Sequence, residues 1–355
     1  MKRFIILSAI SAAAISLIVS CQKPGTDDSA SEIKGILVLN NGNWGSNDAS
    51  ISVYNPDTKI VTAGVFASAN GRNLGDLGQD IIRCEDELYI AVNGSKIIFV
   101  TDMELKIKAT IEASDEGSKL QPHGLAYAGG KVYVTYYEGF LGEIDTQTYA
   151  VRTTPVGPNP EGVAYAAGKL YVANSGGLLY ETGYNNTVSV VDAATFTEEK
   201  TITVNCNPQK VVANDEGTIV YVTSFGNYAD LQPMLQAIET ATGTVSDTGY
   251  TDVNGIALGK DDTLLVVTGG YDENWNIAGT IWKHNAATNS QEGKFTSEAI
   301  SPFYSISADR TSGQVFVGTS DYTTNGDMYI FDAAGNRTAK FDVQGMNPIK
   351  VLALE

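Results

Sequence analysis

The sequence predicts an all-β chain, a seven-bladed β-propeller whose ring closes when the C-terminal strand joins the N-terminal blade. Three observations lead there. Residues 159–204 contain four short alternating or β-branched runs, GVAYA, KLYVANS, NTVSVVD and EEKTITV, separated by turn-forming residues, which is the pattern of a four-stranded antiparallel sheet. The unit recurs: the turn before its last strand falls at Asn55, Asp102, Asp145, Asp192, Glu239, Asn285 and Asp332, spaced 43 to 47 residues apart. A second series, Ile81, Leu125, Val163, Val211, Ile256, Ile306 and Val351, marks the first strand, and its last member opens a unit that stops at Glu355. Residues 34–66 supply the three strands that unit lacks, KGILVLNN, ASISVYN and IVTAGVF. Two partial units then make one sheet, and the closed ring leaves no strand edge unpaired.

Composition agrees with a single repeat array over 34–355. Of 355 residues, 43% are hydrophobic, enough for a sizeable core, and 36 glycines suit a protein dense in tight turns. The Asx residues of the turn series accept bonds from the backbone two residues on, so their role is read as structural rather than metal-binding.

Before the array, residues 1–20 have the form of an export signal, with Lys2 and Arg3 ahead of an apolar run from Phe4 to Val19. Leu17-Ile18-Val19-Ser20-Cys21 resembles a bacterial lipobox, which implies acylation of Cys21 and attachment to the membrane by lipid alone. Residues 21–33 are polar and aperiodic, as expected of a flexible tether. Gln22-Lys23 followed by Asp27-Asp28 loosely resembles the signal that sends lipoproteins of the Bacteroides group to the outer face of the outer membrane.

The net charge is −18, and losing Lys2 and Arg3 leaves 21 basic against 41 acidic residues. Such a surface repels phosphate backbones, and no basic stripe with interleaved aromatics offsets it, so nucleic acid is excluded as a partner. Besides Cys21 there are two cysteines. Cys84 follows the first strand of its unit and Cys206 precedes the first strand of its own, which places them at opposite ends and predicts two separate buried thiols.

The GVAYAAGKLYVANS…NTVSVVDAAT pattern resembles the repeats of YncE-like, surface-layer-type seven-bladed propellers. With the lipobox, the N-terminal VLNNGNWGSNDASISVYN and LGDLGQDI resemble surface lipoproteins of the Bacteroides group that include the cobalamin-binding BtuG type. That resemblance implies an outer-membrane protein facing the cell exterior, which binds cobalamin or a related corrinoid and passes it to a TonB-dependent transporter, with no cofactor of its own. Two other readings stay open: a calcium-dependent, lactonase-like hydrolase, and a structural, adhesive or glycan-binding surface protein.

In a propeller the first strand of each blade lines the channel, and the loops joining strands two and three open on the same face as its start. The channel mouth is therefore expected to hold Gln79, Asp80, His123, Glu161, Gln209, Lys210, Asn254, Tyr304, Ser305 and Lys350. The second-to-third-strand loops gather Trp44, Tyr136, Tyr137, Phe140, Tyr180 and Tyr184, then Phe225, Tyr228, Tyr271, Trp275 and Tyr322, with many Asn and Gly beside them. Rings give contact area at small entropy cost and amides give directed bonds, so this face is read as a ligand-binding surface. Its expected binders are Trp44, Asp80, His123, Tyr137, Glu161, Tyr180 and Tyr184, together with Phe225, Tyr228, Asn254, Tyr271, Trp275, Tyr304 and Tyr322. Tyr136 or Tyr137 is instead expected to pack between blades in part. A lone His123, without a second His or Cys at ligand spacing, is more often structural than metal-bound, and His284 in the third strand carries no expected chemistry. In the lactonase reading, Asp80, Glu161 and Asn254 would converge on calcium. No P-loop, dinucleotide fingerprint, nucleophile elbow or zinc-protease helix occurs, and no catalytic residue is assigned.

Overall fold

The computed structural model describes residues 33–354 apart from 274 and 275. The expected leader, Cys21 and the tether to residue 32 lie outside the described residues, as does Trp275.

Seven four-stranded antiparallel sheets form the ring expected from the repeat. Blade 1 is composite. Its three outer strands are Gly35–Asn40, Ser50–Asn55 and Ile60–Thr62, and its innermost strand is Pro348–Leu354 from the other end of the chain. The two ends pair antiparallel with Leu37 opposite Leu352 and Val38 opposite Val351. The other innermost strands are Gly78–Cys84, Pro122–Ala128, Pro160–Ala166, Pro208–Ala213, Val253–Leu258 and Phe303–Ala308, each carrying its residue of the Ile81-to-Val351 series.

Why the blades form a ring follows from the period of a strand. Side chains alternate between faces, and when both faces are covered the strand reads as a continuous apolar run. In blade 1, Leu37 and Leu39 pack toward blade 2 with Ile81, Leu88 and Phe99, while Ile36 and Val38 pack toward blade 7 with Phe316, Met328 and Ile330. Among the described residues there are seven such clusters, one at every junction between neighbouring blades, the junction of blades 7 and 1 included.

The run IVTAGVF departs from expectation. The strand stops at Thr62, Gly64 turns the chain with φ 64°, and Val65–Asn70 is a short helix. Read with a period near 3.6, Val65, Phe66 and Ala69 share one side, and they pack on the cluster between blades 1 and 2, with Phe66 buried against Phe99 at 5.1 Å. Asn70 secures the helix by donating to the Phe66 and Leu105 carbonyls. A two-stranded hairpin, Ser114–Asp115 with Ser118–Lys119, also lies outside the repeat pattern.

The turn series behaves as read. Asn55, Asp102, Asp145, Asp192 and Asp332 each accept two backbone amides in the turn with one side-chain oxygen, and Asn285 accepts one. Cys84 and Cys206 are separate, buried and free.

Two outcomes test this architecture. Deleting residues 347–355 should lower the melting temperature by more than about 10 °C or prevent folding, since it opens two blade junctions at once; a truncated chain that melts like the intact one would contradict the closure. The turn carboxylates set an acid limit. Bonds from Thr148 hold Asp145 below the usual carboxylate range, a bond from Lys169 and then Thr195 does so for Asp192, and Asn336 does so for Asp332. Because their folded pKa values are depressed, they contribute stability that is complete above the unfolded values near about 4 and is lost as pH falls through the folded ones. Thermal melts from neutral pH downward should show Asp192→Asn losing part of this acid sensitivity.

Candidate functional site

Each innermost strand starts with an irregularity that aims side chains into the channel. Leu77, Asn159, Asn207, Asp252 and Asn347, the residues just before five of these strands, have φ between 47° and 61°. Just inside the strands of blades 2 to 7 the pairing register then shifts, as between Gly78 and Asp80 or Pro160 and Val163. A bulge inserts an unpaired residue and re-aims its neighbours. All ten residues expected at the mouth accordingly line one cavity of about 540 Å³. Small residues let the strands converge: a Cβ on Gly124 would meet the Glu161 carbonyl at 2.5 Å, and one on Gly162 the Gln209 carbonyl at 2.9 Å. The asparagines that precede prolines lock neighbouring loops, Asn159 donating to the Tyr137 carbonyl and Asn347 to that of Gly42.

On one side of the channel His123 and Glu161 are paired, with Nε2 3.1 Å from Oε2. Ser175 donates to the other carboxylate oxygen at 3.0 Å, and Tyr137 stacks on His123 with centroids 5.6 Å apart. Burial, followed by the nearby charge of Glu161, pushes the Tyr137 phenol up to about 12, so it stays a donor throughout the physiological range. In the neighbouring blade Asp80 accepts the amides of Ile81 and Leu125 at 2.9 Å each and lies 3.3 Å from the Lys350 ammonium. Asp80 thus ties three blades together as well as facing the cavity. Asn254 donates to the carbonyls of Asp252 and Gly269.

These partners correct one expectation. Asp80, Glu161 and Asn254 are committed to separate protein groups instead of converging on calcium. Among the described residues no group of three or more His, Cys, Asp or Glu side chains is placed to hold a metal ion.

Around the mouth the tyrosines of successive blades form an arc. Tyr137 of blade 3 stacks on His123, and the Tyr184 ring of blade 4 lies 6.1 Å from that of Tyr228 in blade 5. Tyr271 and Tyr322 continue the series on the loops of blades 6 and 7, and Tyr322 meets Tyr304 edge-on at 5.7 Å. Crowding raises these phenols, burial being the first cause in each and Tyr228 reaching about 12. Tyr228 and Tyr322 nevertheless leave 61% of their surface exposed, Tyr271 50% and, beyond the arc, Tyr180 62%. Tyr184, Tyr228 and Tyr322 have φ of 59°, 56° and 60°, backbone conformations costly for aromatic residues and typical of sites where the surroundings hold strain.

Most of the expected site residues therefore meet at one mouth. Phe225 lines the cavity, half-buried. Trp44, 85% exposed, stands out on the blade 1 loop, and Tyr180 on that of blade 4. Tyr136 is buried between blades, and its neighbour Tyr137 stacks on His123, which lines the cavity. His284 is buried in the third strand of blade 6 among Tyr221 and Tyr250. The binder set omitted Lys210 and Lys350, although the repeat register places them in the same slot as Asp80.

Three solved structures similar to this chain, each 14% identical or less, agree with it on the fold alone. A hydrazine synthase from Kuenenia stuttgartiensis aligns with a TM-score of 0.54 and 14% identity over 70% of this chain and 74% of that one. A chain of the mitotic checkpoint complex aligns at 0.54 and 11% identity, covering 76% and 86%. The computationally designed Ika8 protein aligns at 0.55 and 14% identity, covering 88% and 90%. No curated protein matches the sequence. The family match spans residues 34–344, nearly the whole ring, and the chain belongs to the family described as Domain of unknown function (DUF5074).

Proposed function

We propose that this protein is a lipid-anchored receptor of the outer cell surface that captures a bulky small molecule at the aromatic mouth of its channel and hands it to a TonB-dependent outer-membrane transporter. The observation that carries the reading is the tyrosine arc, to which five consecutive loops contribute, beside a channel-mouth cavity of about 540 Å³ lined by Tyr304, His123, Asn254 and other donors and acceptors. Exposed rings of this size are costly to leave in water without a partner, and the strained tyrosine backbones fix their positions in advance, which lowers the ordering cost of binding. A corrinoid is the first candidate: its wide ring offers flat surface to the exposed tyrosines and its peripheral amides suit the Asn, Tyr and carbonyl groups between them. The sequence resemblance to cobalamin-binding surface lipoproteins supports the same choice. The rigid floor of His123, Glu161 and Ser175 would orient the ligand rather than transform it.

Calorimetric titration of the intact chain with cobalamin should give saturable binding, and Tyr228→Ala should cost about 2 kcal/mol, some thirtyfold in affinity, with an unchanged melting curve. Asp192→Ala, at the other end of the blade, should lower the melting temperature and leave affinity alone. If cobalamin gives no heat while a glycan does, the corrinoid is the wrong ligand; if Tyr228→Ala binds as well as the wild type, the mouth is the wrong surface.

A further inference from the structure

Two ammonium groups in the channel have too few counter-charges. Lys210 enters from blade 5 and Lys350 from blade 1, and both line the central cavity. The carboxylate of Asp80 serves Lys350 at 3.3 Å, a long contact, and its two oxygens already accept backbone amides at 2.9 Å. Glu161 is taken by His123 and Ser175. The Lys210 ammonium has neither a hydrogen bond nor an ion pair among the described residues. By contrast Arg310, at the far end of the same cavity, is paired with Asp215. Two ammonium groups facing one cavity, with Asp80 at 3.3 Å from only one of them, are an unfavourable arrangement unless a further anion completes it.

We propose that Lys210 and Lys350 form a subsite for a compact oxyanion, a phosphate or carboxylate carried by the captured molecule. Lysine suits this role as a point charge that can follow an oxyanion without fixed fork geometry. The Tyr304 hydroxyl, held only by a loose 3.5 Å contact to Asn41, is a third donor bordering the same space. Burial and the neighbouring Lys350 hold the Lys210 pKa down to about 8, as expected where an anion is missing. The subsite rests on reading this mouth as a capture face, but its test uses simple anions and so stands or falls apart from corrinoid binding.

The intact chain is treated at pH 8 with a limiting amine-acylating reagent, and each lysine's labelling is followed by peptide mass spectrometry, with inorganic phosphate, acetate or chloride at matched ionic strength. Lys210, partly neutral at that pH, should be labelled faster than exposed lysines. Phosphate or acetate in the millimolar range should slow it several-fold while chloride does not, and the stronger of the two names the anion. Lys350→Met should weaken that protection about tenfold. Phosphate should also raise the melting temperature of the wild type and fail to do so for Lys210→Met, a readout that holds even if the lysine is slow to label. Labelling and melting that ignore phosphate and acetate alike, or respond to chloride equally, would overturn the subsite.

Discussion

The structure depends on the burial of both faces of every blade. A four-stranded sheet with apolar residues at consecutive positions cannot satisfy itself against one neighbour, because Ile36 and Val38 point one way while Leu37 and Leu39 point the other. In a row, the first and last blades would each expose one such face. Closing the row removes both exposed faces, and the composite first blade makes the closure part of the hydrogen-bonded sheet. The closing strand lends Val351 to the cluster between blades 7 and 1 and Leu354 to that between blades 1 and 2. The cost of opening the ring is then the loss of strand pairing and of both clusters together.

Closure also creates the site. Seven innermost strands aimed at one axis leave a channel too narrow for large side chains throughout, so close approach falls on residues such as Gly124 and Gly162, and the polar side chains beside them crowd the wider mouth. Bulges behind left-handed residues re-aim those side chains without disturbing the apolar run that follows. The two ends of each blade thus have different tasks. Asx turns at one end close on their own backbone, while the loops at the other carry the exposed rings.

How far the sequence could be read follows from which signals repeat. The first-strand series ending at Val351 and the turn series from Asn55 to Asp332 recur with the unit, so strand order, closure and the identity of the mouth were legible. IVTAGVF was misread because Val, Ile and Phe suit strand and helix alike, and only Gly64 and the packing of Phe66 decide between them. Trp44 and Tyr180 were legible as loop aromatics, but how far each stands from the channel depends on loop conformation, which no period encodes. The left-handed backbones of Tyr184, Tyr228 and Tyr322 have no marker, since glycine or asparagine would be the usual residue there. Lys210 and Lys350 shared the repeat slot of Asp80, and what singles them out is the occupation of every nearby carboxylate, a property of packing.

Electrostatics then sharpen what the mouth selects. With a net charge of −18 the surface repels free anions at long range, although at physiological ionic strength this repulsion fades within about 8 Å. Inside the channel the low-dielectric walls make the two lysines count for more than they would in water. A small anion gains only that local attraction and finds no partner for the exposed rings. A wide neutral molecule gains the rings and leaves the lysines as they were. On the proposed reading, a ligand that spans both, with an extended ring system over the tyrosine arc and one anionic group reaching down between Lys210 and Lys350, gains from each, and selectivity would then arise from requiring two weak contributions together rather than from one strong contact.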